Sequence, residues 1–366
     1  MIRPEPRQNV SRLSAAAMRV AAGLLALVLA AIPIAAAGAP VLEAYGLMLK
    51  GAVGSVFAVS EMLTRATPLI LTGLAAAVAF RARLWNIGLE GQLYAGALAA
   101  VAVGTGAFAG PPAVMVPLVI IAGAFAGALT MLAPTLLKVR FGADEVVTTL
   151  LLNFIVILFV QMMLEGAFKD PMGMGWPQSE PIVDEAVFAK LVPRMRLHAG
   201  LILALVAAIA LHVIMARTTF GFRVRAAGEN DAAARYAGIP VTATLLKVGL
   251  ISGALAGLAG VGEVAGLKGY LTADLSPGFG YAGIVVAMLA GLSPLGVVAA
   301  AIFIAGVFVG ADSMSRALGV SSYLADLIVA MALLCVLISS FLARYRIRRI
   351  VRHEAPAVQE ARVGDI

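Results

Sequence analysis

Long apolar runs, punctuated by short polar clusters, set the pattern of this chain. They lie near 18–37, 66–80, 87–103, 112–137, 146–164, 199–216, 244–267, 281–292, 295–311 and 323–342. A helix rises about 1.5 Å per residue, so roughly 20 apolar residues carry it across a hydrocarbon core of about 30 Å. Several runs fall short of that length and read as broken helices. The pattern predicts an all-α integral membrane protein of about ten transmembrane helices. Two blocks, 66–164 and 245–342, each place short apolar runs beside a Gly-rich stretch, which predicts a pseudo-two-fold internal repeat. The segment 38–65, with Lys50, Glu61 and Arg65, reads as surface-lying. The segment 165–198 reads as a long polar loop, stiffened by Pro171, Pro177, Pro181 and Pro193.

Between the sixth and seventh runs lies a polar, basic island. It carries Arg217, Arg223, Arg225, Arg235 and Lys247 against only Glu229 and Asp231. A miniature helix inside it has both ends marked. Asn230 is a capping residue, Asp231 suits the positive end of the helix dipole, and Gly238 followed by Pro240 stops the helix. Two turns of mostly alanine are not stable alone in water. Such a helix needs a surface to lie on, either a partner protein or the lipid headgroups.

Charge placement orients the chain. Assigning alternate polar segments to alternate sides puts 19 of the 27 Lys and Arg residues on the side of the island and both tails, and 8 on the side of the long loop. The positive-inside rule then places both termini and the island in the cytoplasm. The expected division is a basic N-tail over 1–17, one membrane domain over 18–342 and a basic C-tail over 343–366. Within the membrane domain, the outer loop covers about 165–198 and the cytoplasmic loop about 217–243. The N-terminal run resembles a secretory signal, with Arg3, Arg7, Arg12 and Arg19 before it and small residues after it. With so many runs following, it reads as an uncleaved first helix.

Composition agrees: 61% of residues are hydrophobic and 13% charged, against about a quarter charged in soluble domains. One cysteine, Cys335, excludes a disulfide framework. His198, His212 and His353 lie far apart, so no metal site is expected. Glycines at i, i+4 spacing, among them Gly106/Gly110, Gly123/Gly127, Gly253/Gly257 and Gly262/Gly266, predict close helix packing in lipid without naming the partners.

Few polar residues interrupt the runs. Glu90 and Gln92, in Trp85-Asn86-Ile87-Gly88-Leu89-Glu90-Gly91-Gln92, lie about a turn inside a span, where a carboxylate is costly unless paired or wet. Either Asn86, Glu90 and Gln92 border a solute path, or Glu90 pairs with Arg81 or Arg83. Asn153 and Gln161 line such a path or bridge helices. Glu263 and Lys268 have the spacing of an ion pair at the rim, and Asp326 is equally open to either reading. Gly278-Phe279-Gly280-Tyr281-Ala282-Gly283 fits a dinucleotide fingerprint in spacing only. It lacks the preceding strand and the following acidic residue, and reads instead as a turn or re-entrant segment at the outer face. No G-x-x-x-x-G-K-[ST] phosphate loop and no catalytic constellation stand out.

Four stretches, RARLWNIGLEGQLYAGA, FGADEVVTTLLLNF, GFRVRAAGENDAAARYAGI and GYAGIVVAMLAGLSPLG, resemble permease subunits of bacterial ABC importers. The group in question handles branched-chain amino acids, ribose and related sugars, and nucleosides. The first two stretches look most like its nucleoside and simple-sugar branch, and the likeness covers about 60–345. The resemblance implies a non-enzymatic pore half in the inner (plasma) membrane. Its implied partners are a second, often different, permease chain, a cytoplasmic ATPase that uses ATP and Mg, and an extracytoplasmic solute-binding protein or lipoprotein docking near the outer loop. The chain itself would bind no cofactor and no nucleic acid. Gly228, Glu229, Asn230, Ala234, Arg235, Tyr236 and Gly238 match the family's coupling helix, which would fit a groove of the ATPase. Two other classes remain open: an ion-coupled transporter working through Glu90 or Asp326, and, remotely, an intramembrane enzyme.

Overall fold

The computed structural model describes residues 2–6, 28–106 and 110–349. Helices dominate it: α1 (Val28–Ala36), α2 (Val41–Val53), α3 (Val56–Arg81), α4 (Leu89–Gly104), α5 (Pro112–Phe141), α6 (Glu145–Glu165), α7 (Gly200–Arg217), α8 (Thr219–Glu229), α9 (Asp231–Tyr236), α10 (Val241–Val261), α11 (Phe279–Leu289), α12 (Pro294–Leu318) and α13 (Ser322–Arg344). A π-helical segment, Gly262–Lys268, extends α10. Two short strands, β1 (Ile2–Pro6) and β2 (Tyr345–Arg349), pair antiparallel. The sequence reading left both as tails. Their pairing brings the two ends of the described chain side by side.

Six helices are long and apolar enough to cross a membrane, or up to seven if α1 and α2 count as one span bent by 112°. Helices α4 and α11 and the Ser322–Cys335 part of α13 are apolar but shorter. The first part of the 18–37 run lies outside the described residues. The expected short second span is in fact a 26-residue helix, α3, which begins at Val56. It tolerates Glu61 and Arg65 because each meets a partner: Arg65 pairs with Asp312 of α12, and Glu61 with Arg196 of the outer segment. The expected eighth span is the 11-residue α11, about 16 Å long and half a bilayer. The chain reaches it through the non-helical stretch 269–278.

Helix lengths recur in the two blocks. Helices of 26, 16, 30 and 21 residues (α3–α6) are followed later by 21 plus 7, 11, 25 and 23 (α10 with its extension, then α11–α13). The short member stands second each time and follows a non-helical break.

The glycine pairs now have partners. Gly123 and Gly127 of α5 face Gly253 and Gly257 of α10, and Gly257 also faces Gly96 of α4. An added Cβ at Gly96, Gly127, Gly253 or Gly257 would overlap a backbone carbonyl of the facing helix, and one at Gly123 the Val261 side chain. Lipid gives apolar helices no hydrophobic reason to associate, so this backbone-to-backbone approach supplies the dispersion contacts that hold α4, α5 and α10 together.

The long segment between α6 and α7, expected on the outer side, is tied down by its backbone. Val183 N–H donates to Gly104 O at 2.7 Å, Phe188 N–H to Ala265 O at 2.8 Å and Ser179 N–H to Leu271 O at 2.9 Å. His198 ends it, fully buried, and accepts from Gly200 N–H through Nδ1 at 3.2 Å. Its Nε2 has no partner among the described residues. Burial, and then the positive charge of Lys190, push the imidazole from its ordinary 6.5 down to about 4.

Candidate solute path and coupling surface

The polar residues singled out around the start of α4 converge in one place. Residues 84–88 are not helical, so their N–H groups need partners. Backbone carbonyls supply those of Leu84 and Asn86, and side chains supply the rest. Gly88 N–H donates to Asn86 Oδ1 at 2.9 Å, Ile87 N–H to Thr149 Oγ1 at 3.1 Å, and Gly91 N–H to Asn153 Oδ1 at 2.7 Å. Asn86 Nδ2 donates to Gln92 Oε1 and to Ser252 Oγ, both at 2.9 Å, and Gln92 Nε2 returns a bond to Asn86 Oδ1 at 2.9 Å. Ser252 in turn donates to the Ala75 carbonyl of α3 at 2.8 Å. Asn153 Nδ2 donates to Ile87 O at 2.9 Å and reaches Tyr281 Oη at 3.4 Å. Asn86, Gln92 and Asn153 are buried, and the lattice uses their hydrogen-bonding groups. These three are clamps that fix a broken helix.

Glu90 is buried as well, but it pairs with neither Arg81 nor Arg83. Its Oε2 accepts from Gly280 N–H at 2.6 Å. Gly278-Phe279-Gly280-Tyr281-Ala282-Gly283 is therefore pressed onto the first turn of α4. Each glycine has a packing reason. Gly278 adopts φ +88°, a left-handed turn that leads into α11. An added Cβ at Gly280 would lie 2.6 Å from Glu90 Cα, and one at Gly283 would lie 2.6 Å from Thr72 Cβ. Thr72 Oγ1 donates to Phe279 O at 3.0 Å. Upstream, Tyr94 Oη donates to Ala273 O at 2.8 Å and accepts from Ser276 N–H at 3.2 Å. The stretch 273–280 is thus held along α4 by Tyr94 and Glu90, and to α3 by Thr72.

Tyr281 carries this lattice to open space. On its far side lies a cavity of about 530 Å³, lined by Tyr281, Phe308, Asp326 and small or apolar residues of α11 and α13. Phe308 also meets Phe279, ring centroids 6.2 Å apart. The sequence reading passed over Tyr281, Phe308, Ser252 and Thr149. Single hydroxyls in Gly- and Ala-rich helices carry no periodic signal, and aromatic residues read as core. Glu263 is buried in the π-helical extension of α10, and the rim pair expected of it with Lys268 does not form. Lys268 Nζ instead donates to Thr272 Oγ1 and Asp274 O, both at 3.2 Å.

The island folds as two helices, α8 and α9. Gly228 packs so closely that an added Cβ would overlap the Arg81 carbonyl, which seats α8 on the end of α3. Arg225 donates to the Met215 carbonyl of α7. Asn230 caps α9, its side chain accepting from Ala233 N–H at 3.0 Å. Gly238 follows at φ +79°. Ala234 is buried, while Glu229, Arg235 and Tyr236 are exposed, Tyr236 to 97%. Arg235 Nε and Asp231 pair along the helix at 3.2 Å. A cavity of about 410 Å³ runs from Asp231 and Arg235 to Lys138, Asp144 and Glu145 at the α5–α6 turn. There Lys138 pairs with Glu145, whose Oε1 also accepts from Trp85 N–H at 3.2 Å.

Comparison with known proteins places this architecture. The family described as "Branched-chain amino acid transport system / permease component" matches residues 58–337. The "Glucose ABC transporter permease protein TsgB13" of Haloferax volcanii is 36% identical over 353 residues, covering 94% of this chain and 92% of that one. The "Guanosine ABC transporter permease protein NupP" of Bacillus subtilis is 37% identical over 343 residues, covering 92% and 97%. A second guanosine permease protein of that organism, NupQ, is 29% identical over 253 residues, covering 67% and 78%. No solved structure matches. With three quarters of its length matched, from the start of α3 into α13, this multi-pass chain belongs to the branched-chain amino acid transport permease family.

Proposed function

We propose that this chain is one permease subunit of an ABC importer for a nucleoside or a simple sugar. The family assignment carries the transport role, and the names of the relatives carry the solute class. A separate ATPase, using ATP and Mg, would press on α9 from the cytoplasm. The observation that supports this contact is a capped two-turn helix with a buried anchor, Ala234, and an outward face of Ala232, Ala233, Arg235 and Tyr236. Gly228, Glu229, Asn230 and Gly238 shape its two ends. Motion of α9 would pass to α3 through the Gly228–Arg81 contact and tilt the bundle between outward and inward access.

Solute would pass beside Tyr281, Phe308 and Asp326. Aromatic rings there suit a base or the apolar face of a sugar, and a carboxylate accepts from hydroxyls. Asn86, Glu90, Gln92 and Asn153 would hold the wall of that path rather than line it. An extracytoplasmic binding protein or lipoprotein would deliver solute to the outer segment, whose Met172, Met174 and Trp176 are exposed. The match to both NupP and NupQ of one organism favours a second, different permease chain in the plasma membrane beside this one.

The test is reconstituted uptake of labelled guanosine and glucose with the genetically adjacent ATPase and binding protein. Uptake that requires ATP and all the chains supports the reading. Uptake by this chain alone, abolished by an uncoupler and not by ATP depletion, replaces it with an ion-coupled transporter.

A further inference from the structure

We propose that the chain binds an anionic phospholipid headgroup in a cavity at the end of the bundle opposite α8 and α9. The cavity, of about 560 Å³, lies between α2, the first turn of α3, the last turns of α12 and Arg196 of the outer segment. Six charged residues line it: Lys50, Arg65, Arg196 and Arg316 against Glu61 and Asp312. Arg65 is paired with Asp312, and Arg196 with Glu61 at 3.3 Å. That leaves Lys50 and Arg316 with no hydrogen-bond or ion-pair partner among the described residues. The positive end of α3 also opens onto the space, since Ser55, Phe57 and Ala58 line it. Two cations from the last turns of α2 and α12, without ion-pair partners among the described residues and sharing a cavity with the start of α3, suit a phosphate group.

The surroundings select a lipid over a free anion or an acidic protein segment. Helices of 26 and 25 residues span about 38 Å, more than a hydrocarbon core of about 30 Å, so their ends stand at headgroup depth. Phe57 lines the cavity, and Leu49 (68%), Val53 and Val56 (74%), close to the lining residues in sequence, are exposed apolar side chains. A bound diacyl lipid would place its phosphate between Lys50 and Arg316 and its chains along this flank. A water-facing acidic loop would have to cover the same apolar residues without filling them. This binding is independent of which solute the chain carries.

The experiment places the transporter complex in nanodiscs of mixed phosphatidylglycerol and phosphatidylcholine, strips it partially, and counts retained lipids by mass spectrometry. The wild type should retain phosphatidylglycerol preferentially. Losing two cations at an anionic surface, as in Lys50→Ala with Arg316→Ala, should cut that enrichment by at least about fivefold. Lys169→Ala, a basic residue of the outer segment that does not line the cavity, should leave it unchanged. Equal retention by the double variant and the wild type overturns the proposal. So does an equal loss in Lys169→Ala, which would make the effect one of net charge alone. Displacement of the lipid by millimolar inorganic phosphate as readily as by short-chain phosphatidylglycerol would show a free-anion site. Unchanged lipid retention together with lost capture of the solute-binding protein would assign the cavity to protein docking, and each of these also overturns the proposal.

Discussion

Glu90 offers the sharpest prediction, because two accounts of it diverge. Here it is a clamp: its Oε2 accepts from Gly280 N–H at 2.6 Å and fixes the stretch that leads into α11. Three substitutions separate the terms. Gly280→Ala puts a methyl group 2.6 Å from Glu90 Cα and 2.7 Å from Oε2. Overpacking costs about 1–3 kcal/mol, and displacing a hydrogen bond to a charged acceptor costs about 1.5–3 kcal/mol more, so a loss of about 2.5–6 kcal/mol is expected. Glu90→Ala leaves the Gly280 N–H buried and unpaired, at about 1–3 kcal/mol plus a cavity term. Glu90→Gln keeps an acceptor oxygen at nearly the same place and should cost about 1 kcal/mol or less. The assay is thermal unfolding of the purified transporter in detergent, run beside ATP-driven uptake. Stability should fall in the order Glu90→Gln, Glu90→Ala, Gly280→Ala, and Glu90→Gln should keep most of the uptake. If Glu90→Gln abolishes uptake while unfolding is unchanged, the carboxylate carries protons or ions and the clamp account is wrong.

Other expectations follow from separate parts of the molecule. Arg235→Glu removes an exposed pair worth only about 0.3–0.5 kcal/mol, so unfolding should hardly move. Solute-stimulated ATPase activity should nonetheless collapse, and normal stimulation would refute a coupling role for α9. Gly127→Val should force α5 from α10 and destabilise by about 1–3 kcal/mol or more, read as a lower unfolding temperature; a neutral result would contradict the backbone contact seen there. His198 titrates near 4 when folded and near 6.5 when free, so the unfolded chain binds the proton more readily. Stability is therefore full above about 6.5 and declines by up to about 3 kcal/mol as pH falls toward 4. A His198→Gln variant should lose that decline, and an identical pH curve would refute the assignment. Asp326→Asn should raise the half-saturating solute concentration for uptake by about tenfold through a lost charge-assisted bond, and unchanged transport would take Asp326 off the path.

Much of the fold was readable from residues, and the failures have physical causes. Apolar length located α5, α6 and α7 to within four residues and found the starts of α10 and α12 but not their ends, and Asn230 with Gly238 marked α9. The start of α3 was misplaced because Glu61 and Arg65 look like surface charges until Arg196 and Asp312, far away in sequence, neutralise them. The half-length α11 was read as a span because hydropathy records composition and not depth. The polar residues 86, 90, 92 and 153 stand out in the sequence one by one, and the structure sets them around one break. Their role was not legible, since a buried amide that lines a path and one that caps a broken helix are the same letter. Only the partners, Gly88, Gly91, Ser252 and Gly280, distinguish the two. The reason for the Gly-x-Gly-x-x-Gly spacing, close approach to Glu90 and Thr72, shows only in three dimensions.

The central claim is that force reaches this chain from outside it, through α9. A photocrosslinking residue at Tyr236, which is 97% exposed, tests it directly in membranes that contain the whole transporter. Capture of an ATP-hydrolysing subunit, changing in yield when ATP is trapped, is the predicted result. Uptake that continues at its normal rate while no such subunit is ever captured from Tyr236 or from neighbouring Ala233 would contradict it.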